Sequence, residues 1–215
     1  MASVVVGVVG GSGGAGASTF AAALACGVGG AAVLIDLDPA SGGLDVLLGI
    51  ETVPGARWPG LQLGGGRLDP VALDGGLPKW GHVRVLAAPQ ASVEPDAVDQ
   101  VIDAACELGP VVVDAGRGLD PGQAAALGRC DLVIVVAAAT VPGISAARRV
   151  GSGLPAVSVG AVLRRGSVRE HDASELLGLP VLATLPEVIR RDGPVPSSWV
   201  RIGGGIVEGL MAASA

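Results

Sequence analysis

A chain of 215 residues suffices for one α/β domain with a sizeable core and is too short for two ordinary ones. Half of the residues are hydrophobic, yet Tyr is absent and Phe20 is the only phenylalanine, so the core must be built from Ala, Val, Leu and Ile. A formal charge of −6 and a pI of about 4.8 argue against a generally basic nucleic-acid binder, and Lys79 is the only lysine available to any phosphate site.

In chain order, short apolar runs occur at 3–9, 32–36, 83–87, 111–114, 132–136, 157–163 and 181–185. They do not alternate, as expected of parallel strands covered on both faces. Segments long enough for crossover helices lie between most of them, at 18–28, 94–108, 121–127, 141–150 and 168–177. The alternation predicts an α/β fold, a doubly wound three-layer sandwich with a mostly parallel sheet of about seven strands, its ligand site at the carboxyl ends of the strands.

Residues 42–80 break this rhythm with Pro54, Trp58, Pro59, Gly64, Gly65, Gly66, Gly75 and Gly76, and with short helical pieces at 44–48 and 70–73. Such an excursion is either a functional surface or an irregular loop. A closing helix at 197–210 is weakened by Gly203, Gly204 and Gly205.

Charge is uneven. Residues 1–139 carry six basic and fourteen acidic groups, and residues 140–215 carry eight arginines against six acids. The asymmetry marks a partner surface or merely solvated helix faces. Cys26, Cys106 and Cys130 are widely spaced and read as small buried residues of a reduced, cytoplasmic protein. No apolar run approaches the length of a membrane span, so stable membrane insertion is not expected.

The chemistry concentrates at 10–19, GGSGGAGAST, which directly follows the first strand and opens the first helix. Glycines let successive N–H groups curl around a phosphate, and the helix N-terminus adds partial positive charge. Ser18 stands where a phosphate loop places its magnesium ligand. Gly11, Gly13 and Gly16 also match a dinucleotide fingerprint, with Asp36 as its ribose-binding acid. The second strand, however, delivers both Asp36 and Asp38, and the fourth ends at Asp114 before Gly116-Arg117-Gly118. Three acids and a serine around such a loop suit hydrated magnesium better than NAD, which favours a P-loop reading.

These stretches resemble the MinD/ParA group of deviant P-loop ATPases, and within it the CpaE/TadZ-like branch, closest to the actinobacterial CpaE-like septum site-determining (Ssd) proteins. The resemblance is carried by 4–24, by 33–48 (VLIDLDPASGGLDVLL) and by 111–114, with 185–187 like the adenine-side turn. It implies one MinD/ParA-like domain over 1–215; CpaE-like proteins usually carry a receiver-like domain before this point, which is here either absent or cut away. It implies ATP or ADP with Mg2+ as cofactor, cradled by Gly11, Ser12, Gly13, Gly14, Ala15, Gly16, Ala17, Ser18 and Thr19, with Pro186 on the base side. Ser18, Asp36, Asp38 and Asp114 support the metal, and Asp38 matches the carboxylate that orients the attacking water.

The pattern departs from the group at its cations. Against the consensus KGGxGK[ST][ST], Ser12 replaces the signature lysine and Ala17 the P-loop lysine. A charge-assisted hydrogen bond contributes roughly 1.5–3 kcal/mol, so each loss weakens phosphate binding by roughly ten- to a hundredfold. Transition-state stabilisation suffers more, so weak nucleotide binding with little or no hydrolysis is expected, a pseudo-ATPase. Arg117 is the best-placed candidate for a substitute cation, with Arg57 and Arg67 as alternatives, unless each is an ordinary surface arginine; Arg164, where relatives often place Asn, either stacks on a base or is solvated.

Arg148, Arg149, Arg165, Arg169, Arg190, Arg191 and Arg201 would extend a basic patch of the kind with which ParA-type relatives bind DNA, but Glu170, Asp172, Glu175 and Glu187 dilute it. The resemblance implies a localisation or regulatory factor in Tad pilus positioning or septum placement, recruited to pole or septum through protein partners of the secretion, pilus or division machinery. A homodimer and a monomer both stay open. The rival readings are a working ATPase that uses a substitute arginine, and a nucleotide-free interaction module.

Overall fold

The computed structural model describes residues 3–61, 63, 66–87, 91–117, 120–155, 157–187 and 193–213. Among them, eight strands form one sheet: β1 (Val5–Gly10), β2 (Ala32–Asp36), β3 (Lys79–Trp80), β4 (Val83–Leu86), β5 (Val111–Asp114), β6 (Leu132–Ala138), β7 (Val159–Arg164) and β8 (Val181–Leu185). Their order is β3-β4-β2-β5-β1-β6-β7-β8, and every pairing is parallel except β3 with β4. The seven apolar runs each become a strand. The eighth, two-residue β3 at the edge carries no apolar run, which is why the pattern missed it.

Helices α1 (Ala17–Gly27), α2 (Leu44–Leu48) and α8 (Ser197–Ala213) pack on one face, over Val6, Val8, Leu34 and Val112. The other face, with Val5, Val9, Ile35 and Val113, is covered by α3 (Pro70–Gly76), α4 (Pro95–Leu108) and α5 (Pro121–Gly128). Helices α6 (Val141–Gly151) and α7 (Glu170–Leu177) cover Val135, Ala137, Ala161 and Leu163. Adjacent strand residues thus point to opposite buried faces, as a three-layer sandwich requires. The chain leaves β1 toward one face, while neighbouring β5 and β6 lead to the other. The connections part over the carboxyl end of β1 and open a crevice there.

The glycines of α8 do not break it. A Cβ on Gly203 would lie 2.9 Å from Leu24 Cα, and one on Gly204 would lie 2.7 Å from the Gly27 carbonyl oxygen. The helix therefore uses them to approach α1, and tertiary packing outweighs their low propensity. Gly64, Gly65, Gly118, Arg190 and Arg191 lie outside the described residues.

Candidate phosphate-binding site

The glycine-rich loop bridges β1 and α1 over the crevice. Gly10 N–H donates to Gly116 C=O (2.6 Å) and Gly11 N–H to Val136 C=O (2.8 Å), which ties the loop to the ends of β5 and β6. Gly16 caps α1 with φ +91°, and Gly14 has φ +70°. Both conformations belong to glycine. Phe20 N–H is the first helix amide to bond back, to Gly16 C=O (2.9 Å), so the start of α1 offers its earlier N–H groups to the crevice.

A cleft of ≈ 890 Å³ lies over this loop, lined by residues 12–19, by 38–43 with Val46 and Leu47, and by Gly116, Arg117, Asp120 and Gln123. Among the described residues Arg117 is the only basic one lining it. Its side chain runs back over the loop: a Cβ on Gly10 would meet Arg117 Cγ at 3.2 Å, and one on Gly13 would meet Arg117 Cζ at 3.8 Å. The other arginine candidates are engaged elsewhere. Arg57 pairs with Asp45 (3.2 Å), and Arg67 pairs with Glu107 of α4. Lys79 sits on edge strand β3, 3.4 Å from Asp74.

The three acids meet at the sheet edge. Asp36 and Asp114 are register partners in β2 and β5, and both are completely buried. Asp36 accepts the N–H groups of Asp38 and Leu44, each at 3.0 Å, so its carboxylate shapes the loop after β2. Asp38 accepts Ala40 N–H at 3.0 Å and lies against Gly116. Burial, then the charges of Asp36 and Asp38, push Asp114 up to about 7, while the Ser18 hydroxyl and the Gly116 N–H pull it down.

Asp114 Oδ2 is buried without a hydrogen-bond partner. An orphaned carboxylate oxygen beside a serine hydroxyl at the foot of a phosphate loop suits magnesium held by Ser18, phosphate and water, with Asp114 behind. Among the described residues no group of three or more His, Cys, Asp or Glu forms a protein cage for a metal.

On the base side, Arg164 Nη1 donates to Gly14 C=O (2.9 Å), so this guanidinium braces the loop. Trp199 packs on Gly16 and donates its indole N–H to Pro186 C=O (3.1 Å). Of the proposed basic patch, Arg148, Arg149, Arg165 and Arg201 are exposed, and Arg169 is paired with Asp172 (2.9 Å).

Sequence reasoning missed Gln123, Trp58 and Trp199. Only Gln123 had a local signal, the capping box from Asp120 to Gln123 that opens α5.

No family model matches the chain. It is 43% identical over 189 residues to Uncharacterized protein Rv3660c of Mycobacterium tuberculosis (strain ATCC 25618 / H37Rv), and equally to Uncharacterized protein MT3760 of strain CDC 1551 / Oshkosh. Each match covers 84% of this chain and 54% of the relative, so the chain spans about half the length of the curated relatives it matches. Among solved structures, a ParA family ATPase from Chlorobium tepidum TLS aligns with TM-score 0.74 at 16% identity, over 98% of both chains. The MinD cell division protein of Aquifex aeolicus aligns with TM-score 0.73 at 18% identity, over 96% of this chain and 97% of that one. The septum site-determining protein MinD complexed with Mg-ADP from Pyrococcus horikoshii OT3 gives 0.70 at 18% identity, over 99% and 98%. No described helix is long and apolar enough to cross a membrane. At these identities the likeness speaks for architecture: the chain has the fold of the MinD and ParA ATPases.

Proposed function

We propose that this chain is a nucleotide-dependent localisation or regulatory domain of CpaE/TadZ-like type, which binds ATP or ADP with magnesium weakly and hydrolyses it slowly or not at all. The observation that carries the reading is Arg117 over Gly13, among the described residues the one basic side chain lining a cleft whose two lysine positions are Ser12 and Ala17. A guanidinium there replaces part of the missing charge on a bound phosphate. The amides of the glycine loop and the α1 N-terminus supply the rest of the cradle.

Bound magnesium would neutralise phosphate charge. Ser18 and Asp114 would hold it, and Asp38, against Gly116, would face the water side. Asp36 holds the loop that presents Asp38. The base side falls to Pro186, whose carbonyl the buried Trp199 holds, with Arg164 bracing Gly14.

Occupancy of the cleft biases the loops after Asp38 and Asp114 and so alters a dimer or partner surface. The setting that this reading supports is Tad pilus positioning or septum placement. The protein is cytoplasmic and recruited to pole or septum by protein partners, and DNA is the lesser candidate ligand.

Titration calorimetry with magnesium-ATP and magnesium-ADP tests the reading. Measurable heat that falls about tenfold in affinity for Arg117→Ala supports it. Absence of heat and of any thermal shift would refute nucleotide binding and favour a plain interaction module. Turnover at about 1–100 per second would instead make it a working ATPase with a substitute arginine.

A further inference from the structure

Two consecutive residues of the excursion grip both ends of the loop that lines the cleft. Trp58, in the short 3-10 turn Trp58–Gly60, donates its indole N–H to Asp36 C=O at 2.6 Å, at the end of β2. Arg57 pairs with Asp45 Oδ2 at 3.2 Å in the first turn of α2, and donates Nη2 to Ile50 C=O at 2.9 Å and Nη1 to Gly55 C=O at 3.0 Å. The stretch between these grips contains Asp38 and lines the cleft over residues 38–43.

Both anchors are well founded. Trp58 is buried with Leu73 and Leu77 of the excursion, and its backbone N–H donates to Ala87 C=O at 3.3 Å. The Arg57–Asp45 pair is largely buried, 18% and 12% exposed, so it is little screened. From the opposite side, Leu37 N–H donates to Asp114 C=O and Leu37 C=O accepts the Gln123 side-chain amide, both at 2.8 Å. The backbone beside Asp38 therefore cannot move without disturbing the excursion or α5.

We propose that Arg57 and Trp58 are positioning residues that couple the excursion to the phosphate cleft, so that displacing the excursion resets Asp38 and cleft occupancy resets the excursion. The link to nucleotide rests on the function proposed above; the mechanical coupling of excursion to loop does not. Coupling of this kind is reciprocal, which makes it measurable from either end.

Hydrogen exchange, followed by mass spectrometry, separates the two. Trp58→Phe keeps an aromatic ring among Leu73 and Leu77 but removes the indole N–H and leaves a small void. It is expected to speed exchange of amides 38–44 about fivefold, the weight of one hydrogen bond, with α1 unchanged. Arg57→Lys, which keeps the charge but loses the fork, is expected to act at the α2 end, and it decides the matter if Trp58→Phe does not fold. In wild type, magnesium-ATP should slow exchange at 56–61, and Trp58→Phe should abolish that response, which a merely weakened fold would not. Unchanged exchange at 38–44 in the folded variants overturns the coupling. Faster exchange at 38–44 without any heat from magnesium-ATP in wild type overturns nucleotide binding and leaves the coupling standing.

Discussion

The Asp38 carboxylate lies directly against Gly116: a Cβ at Gly116 would overlap its Cγ and Oδ2. Gly116 also has φ +59°, a conformation an L-residue adopts only with strain. The loop after β5 and the loop after β2 are thus fitted to each other at one glycine. Gly116→Ala is expected to destabilise the fold by about 1–3 kcal/mol and to displace Asp38. Thermal unfolding reads the first effect. A magnesium-ATP affinity that falls by more than the loss of stability accounts for reads the second.

The Arg117 guanidinium over Gly13 and the methyl group of Ala17 define a testable exchange of cations. Ala17→Lys should strengthen ATP binding by roughly ten- to a hundredfold, the weight of one charge-assisted hydrogen bond. Arg117→Ala should weaken binding in the natural sequence and do so less once Lys occupies position 17, because two cations on one phosphate are partly redundant. Calorimetry on the four proteins gives the coupling energy directly. Strict additivity would separate Arg117 from the phosphate.

Asp114 predicts a pH dependence of stability. Its folded pKa of about 7 lies above the ordinary carboxylate value. Between roughly pH 4 and pH 7 the native state holds a proton that the unfolded chain has released, so stability falls as pH rises through that window and levels off above it. The loss is at most ~4 kcal/mol, since one unit corresponds to about 1.4 kcal/mol. Asp74, held low by Arg84, acts in the opposite sense and only on acidification below the ordinary carboxylate range. Asp114→Asn should flatten the curve between pH 5 and pH 7, as measured by urea unfolding at roughly half-unit intervals. Magnesium-ATP should stabilise wild type more at pH 8 than at pH 6, because a cation favours the ionised carboxylate.

Much of this architecture was legible because its signals are local. The apolar runs that became the central strands are buried on both faces, so their composition alone marks them, and among the runs only that of edge strand β8 is largely half-buried or exposed. The glycine-rich loop after β1 announces itself by glycines that the structure uses at φ +70° and +91°. The replacement of lysine by Ser12 and Ala17 is equally visible, and the isolation of Lys79 on β3 agrees with it. Contacts between distant segments were not legible. Trp58 meets Asp36 across 22 positions and Gln123 meets Leu37 across 86, and neither spacing leaves a periodic trace. Arg164 could be read as base-stacking or solvated; its hydrogen bond to Gly14, 150 residues away, is neither.

The glycines of α8 provide the sharpest contrast, since three consecutive residues face two opposite environments. Gly203 and Gly204 are buried against α1, where added Cβ atoms would come within 3 Å of Leu24 and Gly27 backbone. Nothing lies within 4 Å of a Cβ on Gly205. Helix propensity alone predicts that Ala stabilises all three positions by about 0.5–1 kcal/mol. Packing reverses the sign at two of them. Gly203→Ala and Gly204→Ala should each destabilise the protein by about 1–3 kcal/mol, because backbone cannot yield as a side chain does. Gly205→Ala should raise the melting temperature by about 1–4 °C, as expected of a favourable substitution in a chain of this size. Thermal melts of the three variants under one buffer decide it. Equal stabilisation at all three positions would mean that α1 and α8 do not approach as closely as this packing requires.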